Sequence, residues 1–450
     1  MKALLVSTPA MGHLHPLLGV GCMLISGGHE VVGLSSSFLQ NRIESIGARF
    51  RSFVPAADID TRDMSTLFPE LPQLSPGPDL LRLILERVFV GFMLPQYESI
   101  KQTLEEFPAD VILGDHLMCG MLPLLLGPRA QRPSIALLGT TYLISSRDDG
   151  APGDAGAPLA TSDQQRSDYA ELARKFDEIV FGPVGDGLNE YLGDIGIAPL
   201  HMNLYDAMVE LPDAYLQLTV PSFEFPRRQL PRSVRFVGPL PITPNQAPVP
   251  PWAHELEQDG PRKVVLVTQG TLTNNDFGEL VLPTLAALAD QPDILVMVTT
   301  GGRPRDALPA PLPANVRVAE YLPFEWAMSK IDVFVTNGGY GSLNQALSFG
   351  VPVVTAGTVA DRGDVGARVA WSGVGINLAT NAPTSDALRS AVRRVLDEPA
   401  YRNKAAAFAS EAQRIDTSSE VLRILDGLAS SGRPQQVGRS SLRRKAAEAG

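Results

Sequence analysis

Six prolines (Pro239, Pro241, Pro244, Pro248, Pro250 and Pro251) fall within thirteen residues just past the middle of this chain, and the same order of elements begins on either side of them. So dense a run has few backbone donors and fixed φ angles, which makes a semi-stiff linker. Before it, an apolar strand over Ala3–Ser7 leads into a turn from Thr8 to His15, a helix over Pro16–Ser26 and a strand over Glu30–Ser35. Pro16 suits a first helical turn, and Gly27-Gly28 suits a C-terminal stop. After the linker, a strand over Lys263–Thr268 leads into Gln269-Gly270-Thr271, a helix over Phe277–Ala289 and a strand over Ile294–Thr299. Further strands are predicted at Val111–Leu113, Ser134–Leu138, Val316–Ala319, Val333–Thr336 and Val353–Ala356. Helices are predicted near Cys119–Leu126, over Ala387–Asp397 and over Tyr401–Leu428. Strand–helix–strand units imply parallel strands with right-handed crossovers. The expected class is α/β, with two doubly wound domains facing each other across a ligand cleft.

A chain of 450 residues is long enough for two cores of roughly 200 residues each. The expected division is a first domain over 1–237, a linker over 238–262 and a second domain over 263–428, with the last helix able to pack back on the first domain. Residues 429–450 read as a disordered tail, rich in Ser, Gly and Gln around Arg439, Arg443, Arg444 and Lys445. The net charge of −11, with no long basic stripe, argues against nucleic acid as a partner. Cys22 and Cys119, the only cysteines, fit a reducing compartment and offer no metal-ligand spacing. Ser7-Thr8-Pro9 cuts the leading apolar run short of a signal peptide, and no stretch approaches the roughly 20 apolar residues of a membrane span. A cytoplasmic protein without a transmembrane segment is expected. Residues 56–82 and 147–168, rich in Pro, Gly, Asp and Ser, read as long loops of the kind that shape a cleft.

The chemistry concentrates at strand ends. Ile331-Asp332-Val333-Phe334-Val335 empties into Thr336-Asn337-Gly338-Gly339-Tyr340-Gly341-Ser342, after which a helix begins. Such a turn collects unpaired N–H groups where the helix dipole also favours negative charge, and its glycines let a bulky anion approach the main chain. A diphosphate is the expected guest. Its place three quarters of the way along the chain assigns the nucleotide to the second domain. The turn Thr268-Gln269-Gly270-Thr271 ends a second strand of that domain and adds a small hydroxyl beside Gly270. In the first domain His13 stands at the mouth of the first strand, where an imidazole with an ordinary pKa near 6.5 serves either as a general base or as structural packing for the helix start. His15 is its competitor. Asp115 follows Val111-Ile112-Leu113-Gly114 and is placed either to orient an imidazole or to cap a turn. Asp58-Ile59-Asp60 has the spacing of a metal-binding aspartate pair but lies in a polar loop without a preceding strand.

Gly12-His13 with Pro16, the proline linker, Thr268-Gln269-Gly270-Thr271 and Asn337-Gly338-Gly339-Tyr340-Gly341 occur in the order found in GT-B glycosyltransferases. Within these, the chain resembles the nucleotide-sugar-dependent natural-product enzymes of the macrolide and flavonoid type, over nearly its whole length to about residue 425. The resemblance implies two Rossmann-like domains and an inverting hexosyltransferase using a UDP or dTDP sugar. It makes His13 the general base and Asp115 its partner. It makes Thr268, Gly270, Thr271, Asn337, Gly338, Gly339, Gly341 and Ser342 the diphosphate site, Tyr321 and Leu322 the nucleobase contacts, Gln345 the ribose contact, and Asp361 with Arg362 the sugar contacts. Three positions depart from the family pattern. Asn337 stands where His is usual, Gln345 where Glu is common, and Arg362 where Gln is common. The glycine turn and helix dipole can neutralise the leaving diphosphate, so no cofactor and no essential metal are expected. The acceptor is expected to be a small, largely apolar molecule beside residues 56–95 and 115–145, near Phe53, Leu67, Phe68, Leu80, Leu83, Phe89, Phe92, Met93, Met118 and Tyr142. The alternatives are a nucleotide-sugar epimerase or cell-wall sugar transferase of the same architecture, or a non-catalytic partner protein of that fold. A dinucleotide dehydrogenase is disfavoured, because no Gly-x-Gly-x-x-Gly turn with a following acidic residue is present.

Overall fold

Ala3–Val6, Val111–Leu113 and Ile135–Leu138 are buried on both faces, as parallel strands covered by helices on each side must be. A computed structural model of the chain describes residues 1–242, 247–258, 262–270 and 274–431. The first sheet contains β1 (Lys2–Val6), β2 (Glu30–Ser35), β3 (Arg49–Ser52), β4 (Val111–Asp115), β5 (Ser134–Gly139), β6 (Ala214–Gln217) and β7 (Val234–Phe236). Their order is β3-β2-β1-β4-β5-β6-β7. The second contains β8 (Lys263–Thr268), β9 (Ile294–Thr299), β10 (Val316–Ala319), β11 (Val333–Thr336), β12 (Val353–Thr355) and β13 (Gly375–Asn377), in the order β10-β9-β8-β11-β12-β13. Every pairing is parallel. This is the doubly wound α/β plan expected, present twice.

Strand order reverses between β1 and β4 in one sheet and between β8 and β11 in the other. At such a reversal the connecting helices leave on opposite faces and open a crevice at the strands' carboxyl ends. Each half therefore has one built-in place for a site.

Local expectations change in several places, among them a helix over Asp163–Phe176 that takes the end of the loop expected over 147–168. The first helix runs from Met11 to Ser26, not from Pro16. The Ala10 carbonyl accepts from His13 N at 3.0 Å and Leu14 N at 2.9 Å, so the first turn closes ahead of Pro16. Pro16 then forfeits only its own bond back to Gly12. His13 accordingly lies in the first turn of the helix. Asp115 is the last residue of β4, not a residue of the turn beyond it. The predicted final helix is two, Pro399–Gln413 and Thr417–Ser431. Asp416 interrupts it by accepting from Ser419 N at 3.0 Å and from the Ser419 hydroxyl at 2.7 Å, the geometry of a fresh N-cap. The second of these helices packs back on the first sheet, where Val421 and Leu425 share a core with Leu17, Leu24, Leu113 and Leu138. It includes residues 429–431, so the tail expected over 429–450 begins as helix, and its remainder, like Pro244 of the linker, lies outside the described residues.

The carboxyl ends of the two sheets meet along a polar seam. Gln217 donates from Nε2 to the Tyr340 hydroxyl at 2.7 Å, Thr219 from Oγ1 to Asn344 Oδ1 at 2.5 Å, and Gly156 N to Asp364 Oδ2 at 2.8 Å. At its centre Arg368, fully buried, donates from Nε to Glu224 at 2.7 Å and lies 4.4 Å from the Tyr142 ring and 4.5 Å from the Phe225 ring. Removing one partner of such a buried pair typically costs about 3–5 kcal/mol, because a charge is left without compensation.

Candidate active site

The crevice of the first sheet is filled by one carboxylate and the groups around it. Asp115, fully buried, accepts from Thr8 N at 2.7 Å through Oδ2, and from Thr8 Oγ1 and Leu117 N, each at 3.1 Å, through Oδ1. These bonds hold the turn after β1 against the turn after β4. The same Oδ1 is 2.8 Å from His13 Nδ1. An ionised carboxylate can only accept, so Nδ1 carries the hydrogen and Nε2 is left as the basic nitrogen. Burial opposes the charged form of both groups. Attraction and the hydrogen bond between them overcome it, raising His13 above its ordinary 6.5, with help from the Asp361 charge, and lowering Asp115. The His13 side chain keeps 19% exposure, enough for a reactant to reach it. His15 is exposed.

His116, beside Asp115 in sequence, was not singled out above. Its ring stacks on that of His13, with centroids 5.1 Å apart and planes 9° apart, and its Nδ1 is 2.7 Å from the Thr140 hydroxyl. Burial and the nearby His13 charge push it down to about 3, so it is neutral. Phe89 packs on His13 at 5.7 Å. The only sequence signal for His116 was its adjacency to Asp115, and neighbouring residues on a strand ordinarily point to opposite faces. His13, Asp115 and His116 offer ligand atoms within 4.8 Å of one another. The Asp115 oxygens are already saturated by the turn amides, the Thr8 hydroxyl and His13, which makes the group better suited to hold a proton than a cation. Asp58 and Asp60 are tied to local partners, Asp58 accepting from Ser37 and Ser52 and Asp60 from Arg62.

The second crevice is lined by backbone. Thr268 ends β8, its Oγ1 donating to the Thr299 carbonyl and accepting from Gly270 N, and Gly270 turns at φ +73°. Thr271 lies outside the described residues. Asn337 follows β11 and donates from Nδ2 to the Gln269 carbonyl at 2.9 Å, so it joins the two turns. Gly338 has φ +95°, open to glycine and costly for any β-branched residue. Gly339 caps the helix Tyr340–Ser348, Gly341 opens onto empty space, and Ser342 donates to the Gly339 carbonyl at 3.1 Å. The first-turn N–H groups of that helix have no intrahelical partners and stand at the carboxyl end of β11. Gln345 follows Gly341 by one turn on the same face and is half-buried. Tyr321 is 52% exposed after β10, while the Leu322 side chain is buried in the core and leaves only its main chain for a ligand.

Asp361 and Arg362 begin the helix Arg362–Ser372 at the seam. Thr141, just after β5, donates from Oγ1 to Asp361 Oδ2 at 2.6 Å. Burial raises the Asp361 carboxyl despite that bond and the charges of Arg362 and His13. Arg362 packs its Cβ against Gly338, so this departure from the family pattern borders the glycine turn. The expected acceptor-side apolar set divides. Phe53, Met93, Met118 and Tyr142 belong to the buried core, whereas Phe89, half-buried at the end of an irregular turn over Leu85–Phe89, borders His13.

Comparison with known proteins agrees with this plan. Residues 282–428 match the family described as Erythromycin biosynthesis protein CIII-like, C-terminal domain. The chain is 34% identical to 4'-demethylrebeccamycin synthase of Lentzea aerocolonigenes over 429 residues, covering 95% of this chain and 99% of that one. It is 32% identical to UDP-glycosyltransferase 2 of Phaeomoniella chlamydospora, covering 95% of each. The solved glycosyltransferase of kitacinnamycin superposes with a TM-score of 0.72 at 21% identity, over 95% of this chain and 99% of that one. On this evidence the chain belongs to the nucleotide-sugar-dependent natural-product glycosyltransferases of GT-B fold.

Proposed function

We propose that this glycosyltransferase moves a hexose from a UDP or dTDP sugar to a small, largely apolar acceptor with inversion at the anomeric carbon. The observation that carries the reading is the His13–Asp115 pair at one switch point, across the seam from a glycine turn at the other. His13 Nε2 takes the proton from the acceptor nucleophile while Asp115 holds the tautomer and stabilises the imidazolium. The nucleophile attacks the anomeric carbon as the nucleoside diphosphate leaves. Helix Tyr340–Ser348 and the turns at Thr268 and Gly338 receive the leaving charge, so the reaction needs no metal. Tyr321 supports the nucleobase, Gln345 the ribose, and Asp361 with Arg362 the sugar. Phe89 borders the acceptor. The work is that of a soluble cytoplasmic enzyme; among the described residues no helix is long and apolar enough to cross a membrane.

A thermal-shift screen with UDP, dTDP and their glucose conjugates tests the donor assignment. A ligand held by the folded state at a hundred times its Kd stabilises it by about 2.7 kcal/mol. At least one nucleotide is expected to raise the midpoint, and to do so equally in EDTA. No shift with any of them, or a shift that EDTA abolishes, contradicts the reading.

A further inference from the structure

One buried imidazole has no part in the chemistry above. His116 is 6% exposed, lies flat against His13 and is held at Nδ1 by the Thr140 hydroxyl. A single hydrogen bond from His13 Nδ1 to Asp115 fixes one direction of the ring and leaves it free to rock about that line. A base must present its lone pair within the ring plane, so that rocking sweeps Nε2 across the reacting hydrogen. Two neighbours limit the rocking. Phe89 meets the ring tilted at 45°, whereas His116 lies nearly parallel to it, at 9° in an offset stack with centroids 5.1 Å apart. Thr140 follows β5 directly and Asp115 ends β4, so the hydroxyl that holds the His116 ring and the carboxylate that anchors His13 come from adjacent strands of one sheet.

We propose that His116, clamped by Thr140, is a positioning residue: its ring is the wall that sets the plane of His13 and so the aim of Nε2. The inference rests on reading His13 as the base. The stack accommodates one proton. His13 has a carboxylate to hold it and His116 only a hydroxyl, so the proton taken from the acceptor stays on His13.

Three variants separate the wall from other roles. His116→Leu keeps bulk without a flat face, His116→Phe keeps the face without nitrogens, and Thr140→Val removes the clamp at nearly constant shape. The first readout is the His13 Nδ1 proton in the 15N-histidine-labelled full chain, assigned by its loss in His13→Gln. The second is turnover with UDP-glucose and 4-methylumbelliferone. In His116→Leu the Nδ1 proton should exchange with water about 10-fold faster or more, and kcat should fall about 10- to 100-fold, with KM for UDP-glucose within about 2-fold, as a sub-ångström misplacement of a reacting group predicts. His116→Phe should restore both readouts to within about 3-fold, and Thr140→Val should fall between. A His116→Leu protein with the wild-type proton signal overturns the proposal. So does a folded His116→Phe protein as impaired as His116→Leu, which would assign the work to the imidazole nitrogens. If His116→Leu does not fold, Thr140→Val decides, and an unchanged signal there is fatal to the clamp. Full transfer by His13→Ala would remove the base reading while leaving the Nδ1 signature to report on the stack.

Discussion

The two switch points share a topology and differ in where their negative charge comes from. At the first, the turn amides of Thr8 and Leu117 are answered by the chain's own Asp115. At the second, Gly341 has no neighbour within 4 Å and the first-turn amides of helix Tyr340–Ser348 have no intrahelical partner, so on the proposed reading the anion is brought in by a ligand. On that reading the same device, backbone donors gathered at a strand end, serves as internal scaffolding in one half and as a receptor in the other. An internal anion stays fixed and can orient a base. An imported one can leave, which is what a leaving group requires.

Each prediction presses on that contrast. The largest effect belongs to His13→Ala, expected to lower transfer about 10³-fold through loss of general-base catalysis while nucleotide affinity by calorimetry stays put. Full activity in this variant would reduce the first crevice to scaffolding alone. Asp115→Asn should lower the rate about 10²-fold by misorienting the imidazole. It should also move the pH profile in a fixed direction. Neutral His13 is the working form, so the wild-type rate rises with pH through a midpoint above 6.5; taking away the Asp115 charge removes what raised it, and the midpoint falls. A midpoint that rises or stays fixed would separate the two residues. Gly341→Val places a side chain where the anion is proposed to sit, at a position with no neighbour within 4 Å and ordinary helical geometry. Nucleotide affinity should drop about 10-fold or more with little change in thermal midpoint, since the lost amide contacts are charge-assisted. The smallest change is Thr141→Val, which removes one hydrogen bond to Asp361 across the seam. A loss of about 1 kcal/mol in stability, read by urea denaturation, is the expected scale. No loss would mean that this bond joins the halves only nominally.

Much of this contrast was legible in the sequence, because glycine turns after apolar runs and an Asp or His at a strand mouth are local signals. β8, β9, β10 and β11 stood out for the same reason, each being a run of β-branched and apolar residues closed by a polar turn. What escaped was set by distance. β6, β7 and β13, three or four residues each, are too short to show a period, and their strand identity comes from the neighbour they pair with. The first helix began early because the Ala10 carbonyl outweighed the apparent start signal of Pro16. His116, Thr140 and Thr141 gain meaning only once β4, β5 and the second sheet are brought together. The three departures from the family pattern at 337, 345 and 362 were visible from the start, but only the structure shows Asn337 joining the Gln269 turn and Arg362 packed on Gly338.

The final helix bears on how this protein is made. Val421 and Leu425 complete the core over β4 and the first helix, and Leu428 accepts from Ser134, yet all three are translated after the whole second sheet. The first half of the chain thus leaves the ribosome with one wall of its core uncovered and remains so until residue 431 has emerged. Synthesis proceeds from the N-terminus, but the half made first is the half sealed last.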